Sequence, residues 1–167
     1  MNPEILNTLE TKRLVIKQIN LMEFYKSNSE LRQKFKSYTA QTSFSTDFQR
    51  NTLIFTITHK VSDQLLGLIL LKPLNTSREM ECYFILFPQY RGNGYAIEAL
   101  KKSIEFVFST LKIDTLNAYI NQDNKRGWLV AERSGMKYMG DVIIKQYNKK
   151  IMNFSLNKND FDNLYRQ

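Results

Sequence analysis

Nine consecutive residues, Pro88-Gln89-Tyr90-Arg91-Gly92-Asn93-Gly94-Tyr95-Ala96, link an apolar run ending at Phe87 to a segment with helical periodicity. A helix N-terminus presents N–H groups without intrahelical partners and about half a positive elementary charge. Gly92 and Gly94 allow a tight turn there and leave no side chain between those N–H groups and an anion. Arg91 adds a permanent cation with a forked set of donors. This is the chemistry of a pyrophosphate cradle. It is not a Walker loop, which ends in Gly-Lys-Ser/Thr, and it lacks the third glycine of the dinucleotide-binding fingerprint. The only histidine, His59, has no cysteine partner at metal-ligand spacing, so no metal site is expected.

A cradle works only if flanking elements hold it. Residues 14–18, 53–58, 65–72 and 80–87 read as four strands, with a hairpin turn at Ser62-Asp63-Gln64 and Pro88 ending the fourth. On the fourth strand Cys82 alternates with Glu81, so it should face the opposite side as a buried, inert thiol. After the cradle, Ile97, Leu100, Ile104, Val107, Phe108 and Leu111 build one apolar helical face, with Glu98 and Lys102 an outward i,i+4 pair. A strand at 115–121, a helix at 125–134 closed by Gly135, and strands at 136–147 and 150–156 turning at Asn148-Lys149 follow. Residues 1–9 read as a loose lead-in, 21–36 as one or two short helices, and 37–52 as a loop across the front of the domain. The aromatic residues Phe44, Phe48, Trp128 and Tyr147 read mostly as core, one or two of them lining a groove. The order predicts a single α+β domain with a mixed, mostly antiparallel sheet of about seven strands flanked by helices.

At 167 residues, with 43% hydrophobic and 24% charged residues, the chain suits one compact domain with a real core. The apolar runs are too short to cross a bilayer. Met1-Asn2-Pro3-Glu4 does not open a secretory signal, and a single cysteine suits a reducing cytoplasm, the expected location. The net charge of +8 is spread along both halves without a basic tail, which argues against a nucleic-acid partner and fits an anionic cofactor.

Gln89, Gly92 and Gly94 match Gln/Arg-x-x-Gly-x-Gly/Ala, and that pattern resembles the pyrophosphate loop of the GNAT family of N-acetyltransferases. Other motifs follow in order. Thr11-Lys12-Arg13-Leu14 resembles the Thr-x-Arg-Leu opening of the branch containing the ribosomal-protein alanine N-acetyltransferases. Asn121-Gln122-Asp123-Asn124 resembles the turn before the last family helix, and Gly135 to Gly140 its Gly-Phe-x-x-x-Gly ending with methionine for phenylalanine. The resemblance covers residues 9–156 of one domain spanning 1–167.

The resemblance implies a sheet splayed after the fourth strand and acetyl-CoA as cosubstrate, the acetyl group passing to a primary amine by direct attack on the thioester. A protein N-terminus or a small amine would be the acceptor, and a homodimer is left open. The pantetheine arm would pair with backbone near Phe84 and Leu86, and a backbone N–H near Leu86 would polarise the thioester carbonyl. The amides of Arg91, Gly92, Asn93, Gly94, Tyr95 and Ala96 would hold the pyrophosphate. Asn124 would bond the pantetheine arm, and Arg126 would reach a phosphate. Glu81, seven residues before Pro88, stands where the branch carries its proton acceptor. Gly127 and Ala131 occupy the positions of the usual Ser and Tyr proton donors, which keeps a second reading open: a non-catalytic acyl-CoA-binding module of the same fold.

Overall fold

The computed structural model describes residues 6–26, 32–33, 51–74, 78–144 and 148–167. Eight strands make one open sheet: β1 (Thr8–Glu10), β2 (Leu14–Ile19), β3 (Leu53–His59), β4 (Leu65–Pro73), β5 (Glu79–Leu86), β6 (Thr115–Ile120), β7 (Lys137–Ile144) and β8 (Lys149–Asn157). Their order across the sheet is β1-β2-β3-β4-β5-β6-β8-β7. Among the described residues four α-helices flank it: α1 (Leu21–Lys26), α2 (Tyr95–Ser109), α3 (Lys125–Arg133) and α4 (Lys158–Tyr165).

β1–β2, β3–β4 and β7–β8 are consecutive antiparallel pairs and β6 pairs antiparallel with the non-consecutive β8, but β5 and β6 run parallel, and α2 supplies the crossover such a pair requires. Here the sheet opens. The two strands share only Glu79↔Thr115, Met80↔Leu116 and Glu81↔Asn117, although β5 runs on to Leu86 and β6 to Ile120. This is the splay expected after the fourth predicted strand.

Strand alternation sorts side chains to two faces. Met80, Cys82 and Leu86 of β5 join Leu116, Ala118 and Ile120 of β6 in the main core, beneath Leu100, Ile104, Val107 and Phe108 of α2. On the other face Ile85 packs with Phe24, Ile54, Leu68 and Leu70 in a smaller core. The main core closes at its far end with Phe161 of α4, stacked on Phe108 at 4.7 Å and on Tyr165 at 5.0 Å.

Two expectations need correcting, and one helix was not anticipated. Residues 8–10 of the lead-in form an edge strand, because Leu9 packs against the main core and β1 completes its ladder on β2. The chain continues past residue 156 into α4, whose N-cap Asn157 accepts from the Asp160 N–H at 2.9 Å. Glu98 does not pair with Lys102: it turns to Arg13 at 2.7 Å, while Lys102 pairs with Glu105 at 3.1 Å. The loop expected at 37–52 lies outside the described residues apart from 51 and 52, as do Phe44, Phe48 and Tyr147; of the helices expected over 21–36, α1 and residues 32–33 are described.

Candidate active site

A cleft of about 510 Å³ occupies the splay. Its walls are β5 from Cys82 to Leu86 and β6 from Ala118 to Ile120, its floor the start of α2, and its far side the N-terminal turns of α3. The Phe87 N–H donates to Leu66 O at 2.9 Å, so the odd residues of this stretch bond β4. Antiparallel alternation then aims the main-chain groups of Phe84 and Leu86 into the opening. Arg91 Nε reaches one of them, Leu86 O, at 3.2 Å.

The cradle takes the backbone form its sequence requires. Gly92 has φ 84° and Gly94 φ 77°, a left-handed conformation that costs other L-residues about 1–2 kcal/mol. Gly94 is the N-cap of α2, and no side chain caps the helix. A Cβ at Gly92 would meet nothing within 4 Å, so that position faces open space. Arg91, Gly92, Gly94, Tyr95 and Ala96 all line the cleft. Asn93 does not. Its carbonyl accepts from Arg13 Nη1 at 3.0 Å, and its side chain folds back on Tyr90 O and Arg91 O.

Arg13 holds this loop from outside. Its Nε donates to Glu98 Oε2 at 2.7 Å, its own N–H donates to Glu98 Oε1 at 3.0 Å, and the Thr11 hydroxyl donates to the same oxygen. The guanidinium lies 4.5 Å from the centre of the Tyr95 ring. Burial works to raise the Glu98 carboxyl, but the bonds from Thr11 and Arg13 and the Arg13 charge outweigh it and hold it below the ordinary glutamate range. The Thr-x-Arg-Leu segment is thus a clamp from the β1–β2 turn onto the first turns of α2.

On the α3 side, Asn124 and Arg126 line the cleft. Asn124 Oδ1 caps the helix by accepting from the Gly127 N–H at 3.0 Å, which leaves its Nδ2 as a donor. A Cβ at Gly127 would lie 2.6 Å from Asn124 Nδ2, the outer end of the capping side chain. Ala131, at the other usual donor position, is 0% exposed in the main core and does not line the cleft. Glycine at 127 and a buried alanine at 131 leave both of these positions without a proton donor.

Glu81 sits at the vertex of the splay, in the last pair before the strands part, on the face away from α2. It is half-buried and is not itself part of the cleft lining. Burial pushes its carboxyl up, against the opposing charge of Lys72. Cys82 faces the main core, 2% exposed, its thiol pushed up to about 12 by burial and then by the Glu81 charge. His59 Nδ1 accepts from the N–H groups of Val61 and Ser62 at 3.3 Å, and Trp128 packs against the main core.

Two contributors were missed in the sequence. Gly67 on β4 allows close approach, since a Cβ there would stand 1.9 Å from Ile85 O, beside the splay. A lone glycine inside an apolar strand was the available signal. Tyr119 of β6 lines the cleft on the Glu81 face, and nothing local in the sequence singled it out.

An open sheet parted at one parallel pair, with a glycine-turned helix start at the mouth of the gap, is the architecture of an acetyltransferase fold. Residues 6–137 match the acetyltransferase (GNAT) domain family. The chain therefore belongs to the GNAT acetyltransferases and is an N-acetyltransferase by family. Among solved structures it is similar to a GNAT-family acetyltransferase from Bacillus anthracis, with TM-score 0.69 and 19% identity over 92% of this chain and 99% of that one. It is also similar to RimJ from Mycobacterium smegmatis in complex with CoA-disulfide, with TM-score 0.71 and 11% identity over 93% and 88%. A stretch of 72 residues is 33% identical to the uncharacterized protein YkkB of Bacillus subtilis, and the match spans 43% of this chain and 41% of that relative.

Proposed function

We propose that the cleft binds acetyl-CoA with its pyrophosphate on the amides of Gly92, Gly94, Tyr95 and Ala96, and that a primary amine arriving from the α1 face attacks the thioester directly. One observation carries this: the uncapped, glycine-turned start of α2 opens into the gap between β5 and β6. In this reading the inward main-chain groups of Phe84 and Leu86 pair with the pantetheine arm, and the Leu86 N–H polarises the thioester carbonyl. Asn124 Nδ2 donates to the same arm, and Arg126 reaches a cofactor phosphate.

Glu81 is the base. An amine is protonated near neutral pH and must lose a proton before it can attack. A carboxyl raised by burial, on the face from which the amine enters, suits that role.

The lack of a donor side chain at Gly127 and the burial of Ala131 favour one rival, a non-catalytic acyl-CoA-binding module. Thiol release from acetyl-CoA across a panel of N-terminal peptides and small primary amines, with products weighed by mass spectrometry, separates the two. Acetylated product is expected. Tight acetyl-CoA binding with no product from any amine would establish the module instead.

A further inference from the structure

Acetyl transfer leaves a thiolate, and neither Gly127 nor Ala131 offers it a proton. The splay supplies another donor. Glu81 and Asn117 form the last registered pair, with their side chains on the face away from α2. One residue pair further along that face, the diverging strands present Tyr83 from β5 and Tyr119 from β6, and both line the cleft. We propose that the Tyr119 hydroxyl is the proton donor to the leaving sulfur, acting across the opening from Glu81. The inference rests on the acetyltransferase reading of this cleft.

Three features fit the role. Tyr119 is half-buried on β6, where it lines the cleft, so its phenol is not free in solvent. Burial, then the charges of Glu81 and Glu79, raise its hydroxyl, so the phenol keeps its proton at neutral pH while being a weaker acid than a free tyrosine. No other phenol sits on β6, and its opposite number across the opening, Tyr83, stands on the strand that also carries Glu81.

The step balances. The ammonium first yields a proton through Glu81 to solvent, and the freed nitrogen lone pair attacks the acetyl carbon. The C–N bond forms, the C–S bond breaks, and sulfur leaves with the electron pair. Tyr119 gives its proton to sulfur. The amide nitrogen's surplus proton goes to Glu81, which returns one to the Tyr119 phenolate. One proton per turnover reaches solvent.

Tyr119→Phe keeps the ring and removes the donor, whereas Tyr119→Ala removes both. With acetyl-CoA and an amine the wild type accepts, kcat of the Phe variant should fall at least tenfold, to the level of the Ala variant, with KM for acetyl-CoA within twofold. A packing role would instead let Phe restore the wild-type rate, and that result overturns the proposal. A second measurement needs only the wild type. One hydrogen bond to sulfur should make CoA bind about fivefold tighter than desulfo-CoA, and equal affinities overturn the proposal even if the variants do not fold. A wild type that acetylates no amine sinks the acetyltransferase reading first, and this inference with it. Activity in the wild type with full activity in Phe sinks the inference alone.

Discussion

Arg13→Ala removes the outer clamp of the cradle, a residue that does not itself line the cleft. Four contacts go: the paired nitrogens on Glu98 Oε2, the Nη1 bond to Asn93 O, and the guanidinium over Tyr95. The backbone N–H and Thr11 bonds to Glu98 remain. Side chains in this pair are 39% and 20% exposed, so the interaction ranks above an open surface pair and below a buried one. A stability loss of about 1–2 kcal/mol is expected, seen as a lower Tm or denaturant midpoint. The effect on acetyl-CoA should be larger than stability explains. Glu98 lies in the first turns of α2, and without Arg13 its charge opposes the anion the helix start would hold. About tenfold weaker binding, or 1.4 kcal/mol, is expected by calorimetry. Adding Glu98→Gln to Arg13→Ala should recover part of that affinity without recovering stability. Wild-type affinity in Arg13→Ala would refute the claim that this clamp shapes the cradle. The clamp also sets an acid limit. Because the folded Glu98 carboxyl lies below its unfolded value, its contribution is complete above the ordinary glutamate range and is lost as pH falls through the lowered value.

Glu81→Gln should slow turnover by about 10²–10⁴ while leaving acetyl-CoA affinity intact. Because burial raises the Glu81 carboxyl, its ionised form costs folding as pH rises through that raised value, so the Gln variant should melt higher than wild type at neutral pH and level with it in acid. Equal Tm at both pH values would contradict the burial argument. Gly127→Ser places a side chain 2.6 Å from Asn124 Nδ2, so the helix cap should weaken by about 0.5–2 kcal/mol with no gain in kcat. A faster Ser variant with unchanged Tm would show that a donor at 127 is tolerated and useful.

Much of the cradle was legible because it is local. A strand end, two glycines and an apolar helical face fall within about two dozen residues, and each carries its own signal. The same holds for Asn124, whose capping role is set by the next three residues. The partner of Glu98 was not legible: Lys102 sits one turn away, and the true partner is 85 residues distant and arrives only when β2 closes the sheet. Nor could Tyr119 be found, because it matters only once the parting of β5 and β6 places it beside Glu81. The insertion of β8 between β6 and β7 is likewise decided by packing, not by any turn signal. In α4 a signal was present and unused: Asn157 ahead of Asp160, Phe161 and Leu164 is an N-cap followed by helical spacing.

The central claim is that the amides after Gly92 hold the pyrophosphate of acetyl-CoA. Thermal stability of wild type and Gly92→Glu, each with and without acetyl-CoA, tests it most directly. The new side chain enters open space, so the variant's cost is the left-handed backbone at φ 84° and it should remain folded. At a hundredfold excess over the dissociation constant, wild type should gain about 2.7 kcal/mol and the variant far less. A wild type that gains nothing, or a folded variant that gains as much, would contradict the assignment.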